Sequence, residues 1–202
     1  MTKIYICDNT RNTKTLEEIL AELPANIVEF PDKYKITGDK LLSASAWYML
    51  YTALKEEHDI DLAKEQTVKI INRKPCIDGI FFNISHSFNI STVIISTIEC
   101  GIDVEMVNPE VDYELMSRRI LTKEEYFTYL HQRRAAYFTM MWTKKEAMFK
   151  YIGTGIVLNH FKLLDISKVQ TIELDDSKNN LYYLSYRTAD GEEVEDIRRI
   201  II

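Results

Sequence analysis

Three short stretches hold residue types that could do chemistry together. The first is GIDVE, residues 101–105. On a strand, side chains alternate faces, so Asp103 and Glu105 point one way and Ile102 and Val104 the other, into apolar packing. Two like charges so close repel each other. A hard cation such as Mg2+, which takes one or two carboxylates plus phosphate oxygens and water, would resolve the conflict. An exposed acidic strand face accounts for the same residues, and Asp-x-Glu is too short to decide between them.

The second stretch is WTKKEAMFK, residues 142–150. At helical spacing, Phe138, Met141, Trp142 and Phe149 define an apolar arc, with Glu146 and Lys150 one turn apart at its edge. Taken alone, that pair reads as an ordinary surface i,i+4 interaction worth a few tenths of a kcal/mol, on the order of 0.3. Lys145 is different, because it falls inside the arc. Its amine must extend past the rim or meet an anion. The third stretch is FFNISHS, residues 81–87, where Asn83, Ser85, His86 and Ser87 crowd between two apolar runs. So many donors suggest a binding surface. An isolated His86 would more simply be a satisfied histidine in a turn.

The elements that must position these groups can be outlined from the 202-residue chain. KIYICD opens as a strand. Residues 39–57 form a helix with Leu42, Ala46, Met49, Leu50 and Ala53 on one stripe and Asp39 as N-cap. TVKIINRKP is a strand ended by Pro75. GIFFNIS, NISTVIIST and CGIDVEMV follow as strands. Thr122 with Glu125 makes a capping box, and a longer helix over 135–151 stops near Gly153 and Gly155. HFKLLDI, VQTIEL, LYYLSYRT and EVEDIRRIII read as closing strands, with turns at DDSKNN and ADGEE. The order implies an α+β chain with a coarse pseudo-repeat, dividing into residues 1–99 and 100–202 as two tightly joined lobes.

Composition narrows the class. Hydrophobic residues make up 46% and charged residues 28%, as in soluble globular proteins. No apolar run reaches the ~20 residues of a membrane span, and the first residues lack a signal region, so a cytoplasmic protein without a membrane role is expected. Cys7, Cys76 and Cys100 match no zinc spacing and suit free thiols in a reducing compartment. A net charge of −6 argues against nucleic-acid binding, yet Lys33, Lys35, Lys40, Arg73, Lys74, Lys144, Lys145 and Lys150 fall in three cationic clusters. An acidic protein with such clusters suits a compact polyanion such as a nucleotide. Each cluster taken singly reads as solvated surface charge.

Taken in order, RKP, FFNISHS, GIDVE and WTKKEAMFK resemble the signatures of the 4′-phosphopantetheinyl transferases, specifically the surfactin-synthetase-activating type. Asp103 and Glu146 stand 43 positions apart, which fits that pattern. The matched motifs cover positions 74 to 155, under half the chain. The resemblance implies two similar α/β lobes in a pseudo-twofold arrangement with a cleft between them, complete within one monomer. It implies an enzyme that moves the phosphopantetheine arm of coenzyme A onto a serine of an apo acyl or peptidyl carrier protein, releasing adenosine 3′,5′-bisphosphate.

The same resemblance implies roles. Asp103, Glu105 and Glu146 would hold Mg2+. Glu146, directly or through water, would take the serine proton, and Lys150 would stabilise the leaving phosphate, with Lys145 assisting or serving structurally. His86 with Ser85 would hold a phosphate of coenzyme A, and Lys74 and Pro75 would line its adenine end. Lys40 is the best match for a cation meeting the 3′-phosphate, with Lys33 and Lys35 as alternatives. Arg73 stands where relatives often have Gly, and would add a phosphate contact. A catalytically inactive coenzyme A or carrier-binding protein is the alternative, and a Mg2+-dependent phosphohydrolase a further one. The carrier would dock on the 112–134 segment, where Arg118 and Arg119 could meet an acidic helix, although an ordinary amphipathic helix explains that segment as well.

Overall fold

The computed structural model describes residues 1–63, 68–71, 74–189 and 192–202. The chain opens with strand β1 (Thr2–Asp8), helices α1 (Leu16–Glu22), α2 (Ala25–Asp32) and the long α3 (Thr37–His58), then the short β2 (Lys69–Ile71) and β3 (Lys74–Cys76). Strands β4 (Phe81–Ser87), β5 (Ile90–Ser96) and β6 (Cys100–Met106) precede helices α4 (Glu114–Ile120), α5 (Lys123–His131) and α6 (Arg134–Ile152). A 3-10 turn over Leu158–Leu163 leads to β7 (Gln170–Asp175), β8 (Leu181–Thr188) and β9 (Asp196–Ile200). The mixed α+β class expected from the sequence is what the chain adopts. Among the described residues no helix is long and apolar enough to cross a membrane.

Two sheets organise the molecule, in the orders β4-β5-β1-β9 and β6-β8-β7, and β2 and β3 form a separate hairpin. The first sheet is antiparallel except that β9 returns from the end of the chain to pair in parallel with β1. Strict alternation along β1 and β5 makes this sheet two-sided. Tyr5, Cys7, Val93 and Ile95 pack with α1 and α3, burying Trp47, Met49 and Leu50. Ile4, Ile6, Ile90 and Ile94 pack against Ile102, Val104, Leu174 and Leu184 of the second sheet. The free edges, β4 of one sheet and β6 of the other, lie side by side at this junction.

Helix α6 lies on the far face of the second sheet. Gly101 makes this approach possible: a Cβ there would stand 2.3 Å from the Ala147 carbonyl oxygen and 2.4 Å from the Tyr151 nitrogen. No side chain fits, so the helix rests directly on the strand. The helix ends where Gly153 takes a left-handed conformation at φ 77°, which suits a residue without Cβ. On its outer side α6 buries Phe138 and Phe149 with Tyr129 and Phe161.

Lys145 belongs to this outer side. It is fully buried, and its ammonium meets Glu125 Oε2 at 2.8 Å and donates to the Phe161 carbonyl at 3.0 Å. The same Glu125 closes the capping box with Thr122 that the sequence pattern called for. One buried cation thus ties α5, α6 and the 3-10 turn together, meeting an anion rather than reaching past the rim.

Several expected elements differ. Helix α3 begins at Thr37 with Ile36 as its cap residue, and Asp39 sits in the first turn, where a carboxylate favours the helix dipole. Pro75 does not end a strand but pairs with Ile70 inside the short hairpin, which has only one ladder and so leaves Pro a side without a required donor. His86 and Ser87 continue β4 rather than forming a turn. HFKLLDI is not a strand: the 3-10 turn replaces it, because only Phe161 of this segment needs full burial, beneath Trp142 and Phe149. The turn expected at ADGEE includes positions 190 and 191, outside the described residues.

Asp176 fastens the β7–β8 turn to the β4–β5 turn. Nearly buried, it accepts hydrogen bonds from Asn89 Nδ2 at 2.7 Å, Asn180 Nδ2 at 2.9 Å and the Tyr182 hydroxyl at 3.0 Å. Burial alone would raise its pKa, but the bonds from Asn180, Asn89 and the turn amides outweigh that and hold it well below the usual carboxylate range. A folded pKa below the unfolded value of about 3.9 means this stabilisation is full above that pH and fades as the pH falls. Asp176→Ala is expected to cost about 2–3 kcal/mol near neutrality and to flatten the acid side of a urea-unfolding pH series. Lys145→Met removes a buried charge and strands its partner, so a loss of about 3 kcal/mol is expected in the same unfolding assay.

Candidate active site

A cleft of 510 Å³ opens where the edges of the two sheets meet. Its floor is built from GIDVE. Even residues of β6 face the inter-sheet core, where Ile102 and Val104 are fully buried. Odd residues face α6: Gly101 admits the helix, and Asp103 and Glu105 line the cleft beside Glu146 and Lys150. The alternation expected for this strand is therefore realised, and the reason for it is the sandwiching of β6 between a sheet and a helix.

Asp103 is only 2% exposed. Its Oδ1 accepts from Lys150 Nζ at 2.8 Å and from the Ser85 hydroxyl at 2.8 Å. Lys150 also donates to Ser85 Oγ at 3.0 Å. The ion pair of Lys150 thus runs across the fold to Asp103, where sequence spacing alone favoured a local pair with Glu146. Asp103 Oδ2 is buried and has no hydrogen-bond partner.

The two glutamates feel the same crowding. Burial first, and repulsion by Asp103 second, push Glu105 up to about 7, although Ser87 and Lys150 pull the other way. Glu146 is raised for the same reasons, with Lys150 again opposing. Three carboxylates and one ammonium therefore share a partly dry site with an excess of negative charge. Among the described residues, no three His, Cys, Asp or Glu side chains are gathered closely enough to hold a metal ion as they stand. The donor set nevertheless fits a hard cation: all the groups are carboxylate oxygens, one is orphaned, and the strain between them is electrostatic.

The other wall comes from the first half of the chain. His86 lines the cleft and meets the Tyr34 hydroxyl at 3.3 Å, with the two rings edge to face. Burial, then Lys150, lowers the pKa of its imidazole below the ordinary value. Lys33 and Pro75 also line the cleft, with Lys33 held over the Phe30 ring at 4.6 Å. Lys40 does not line it. It pairs with Asp32 at 2.6 Å. Lys145 is likewise not brought to the cleft, being committed to Glu125. The sequence stretch RKP is only partly visible: Arg73 lies outside the described residues, as does the side chain of Lys74. Tyr34 and Phe30, from helix α2 and the loop after it, contribute to the cleft without any sequence motif to announce them.

The comparisons with known proteins agree with the motifs. Residues 99–196 match the 4′-phosphopantetheinyl transferase superfamily. The chain is 31% identical over 131 residues to the 4′-phosphopantetheinyl transferase Sfp of Bacillus subtilis, covering 58% of this chain and 56% of that protein. It is 34% identical over 82 residues to the 4′-phosphopantetheinyl transferase HetI of a Nostoc species, covering 39% and 35%. It is 35% identical over 91 residues to psf-1 of Bacillus pumilus, also a 4′-phosphopantetheinyl transferase, covering 42% and 38%. These matches thus span between a third and just over half of the relatives' lengths. Motif order, spacing and these matches agree in their likeness to the 4′-phosphopantetheinyl transferase superfamily, whose model covers residues 99–196, just under half of the chain.

Proposed function

We propose that this protein transfers the 4′-phosphopantetheine arm of coenzyme A to a serine of an apo carrier protein, acyl or peptidyl, in a Mg2+-dependent reaction. The observation that carries this reading is the meeting of Asp103, Glu105, Glu146, Lys150 and His86, from three separated motifs, in one cleft. The chain would act as a monomer of two lobes, 1–99 and 100–202, each carrying one sheet and one long helix, with β9 crossing back to the first sheet.

Asp103, Glu105 and Glu146 are the residues that would hold Mg2+. When bound, the ion would let the crowded carboxylates ionise together and would neutralise charge on the pyrophosphate of coenzyme A. The chain's own groups do the rest. Lys150 meets the pyrophosphate and stabilises the phosphate that leaves. His86 holds a phosphate of coenzyme A, with Lys33 the cation that lines its side of the cleft. Lys40 reaches the 3′-phosphate only by leaving Asp32. Pro75 lines the adenine end, with Lys74 and Arg73 beside it in sequence. Glu146, directly or through water, takes the serine proton. The serine oxygen bonds to the phosphorus bearing the arm, the bond from that phosphorus to the bridging oxygen breaks, and adenosine 3′,5′-bisphosphate departs.

The test is the intact mass of an apo acyl carrier protein, and separately of an apo peptidyl carrier, incubated with this protein, coenzyme A and Mg2+. A gain of one phosphopantetheine arm that chelator abolishes is expected. Coenzyme A binding without transfer to either carrier would favour the inactive binding protein instead. Asp103→Ala is expected to lower kcat a hundredfold or more, on the order of 3 kcal/mol of barrier. Near-normal turnover in that variant would remove the metal assignment. His86→Ala is expected to raise KM for coenzyme A about tenfold with little change in kcat, and an unchanged KM would remove its role.

A further inference from the structure

FFNISHS divides its side chains between two tasks. His86 turns to Tyr34 on the cleft wall, while Asn83, Ser85 and Ser87 turn toward β6, where Asn83 and Ser85 also line the cleft. There they meet every second amide of that strand. Ile102 N donates to Asn83 Oδ1 at 3.0 Å, Val104 N to Ser85 Oγ at 3.3 Å, and Met106 N to Ser87 Oγ at 3.2 Å. These three side-chain oxygens take the place a neighbouring strand's carbonyls would hold. The free edge of one sheet is thereby closed by side chains from the free edge of the other.

The two serines also point their protons at the acidic pair. Ser85 donates to Asp103 Oδ1 at 2.8 Å and Ser87 donates to Glu105 Oε2 at 2.7 Å. Ser85 accepts from both Val104 N and Lys150 Nζ as well. One hydroxyl has one proton and two lone pairs, so all of its capacity is taken up by protein atoms.

From this geometry we infer that Asn83, Ser85 and Ser87 are positioning residues: they register β6 against β4 and, through Ser85 and Ser87, fix which oxygens of Asp103 and Glu105 face the cleft. The inference rests on the transferase reading for what those carboxylates do. It gives Ser85 work on the protein's own acid rather than on coenzyme A. Second partners of this kind tune metal affinity roughly 10–100-fold in other metal sites.

The experiment uses the full chain and Mn2+ as a probe ion, in the presence of coenzyme A. Mn2+ affinity, kcat and KM for coenzyme A are measured for wild type, Ser85→Ala, Ser85→Thr and Ser87→Ala, with amide hydrogen exchange at Val104 and Met106. Ser85→Ala is expected to weaken Mn2+ binding about tenfold and lower kcat, to speed exchange at Val104, and to leave KM for coenzyme A within about twofold. Ser85→Thr, which keeps the hydroxyl, restores both. Ser87→Ala, which keeps the Ser85 contacts should Ser85→Ala fail to fold, weakens Mn2+ and speeds exchange at Met106. If the serine-to-alanine variants exchange faster but bind Mn2+ and turn over like wild type, the serines only hold the sheets together and the positioning role is overturned. If instead KM for coenzyme A rises with Mn2+ affinity unchanged, Ser85 serves the substrate directly. A wild type that neither binds Mn2+ nor transfers defeats the transferase reading, and the positioning role with it.

Discussion

The ammonium of Lys150 reaches across the junction of two sheets to a carboxylate that is almost entirely out of water. Without it, Asp103 would be an uncompensated buried charge, which folded proteins tolerate only with a partner or a shifted pKa. Helix α6 must therefore lie close enough to β6 for a lysine stem to span the gap, and Gly101 is what permits that closeness. Edge strands β4 and β6 must also stand in register, because Ser85 bonds both members of the pair.

The two halves of the chain divide the labour around this pair. The second supplies the acids and the ammonium from β6 and α6. The first supplies Lys33, Tyr34 and His86, from the loop after α2 and from β4. The inter-sheet core of Ile4, Ile6, Ile94, Ile102 and Val104 holds the halves together beneath the cleft, so the polar seam above it need not provide adhesion by itself. A cleft placed at the seam can recruit from both sheets, as ligand sites between packed units commonly do.

Two signature lysines of one helix end in unlike surroundings, as their different places on its apolar arc foreshadow. Lys145 and Lys150 are both on α6, but half a turn or so of helix separates their directions. Lys150 faces β6 and the cleft, whereas Lys145 faces α5 and is sealed under the 3-10 turn with Glu125. The former lines the cleft and the latter holds the helix that carries it.

The sequence by itself determined the α+β class, strands at KIYICD, NISTVIIST and CGIDVEMV, the capping box at Thr122 and the long helix stopped near Gly153. These follow from local periodicity and backbone preference, which need no distant partner. It also determined that Asp103 and Glu105 share a face, since strand geometry alone requires it. Helices α1 and α2, the 3-10 turn beneath Trp142 and the hairpin around Pro75 were not legible, because their form is decided by what they cover. Which partner each charge takes was decided only by the tertiary structure. Lys150 chose Asp103 over its helical neighbour Glu146, Lys40 chose Asp32, and Lys145 chose Glu125, since the competing positions are brought within reach only when the sheets and helices pack. The dual use of FFNISHS, with His86 turned to Tyr34 and Asn83, Ser85 and Ser87 to the edge of β6, has the same origin: alternation is written in the chain, but what stands on each side of the strand is not.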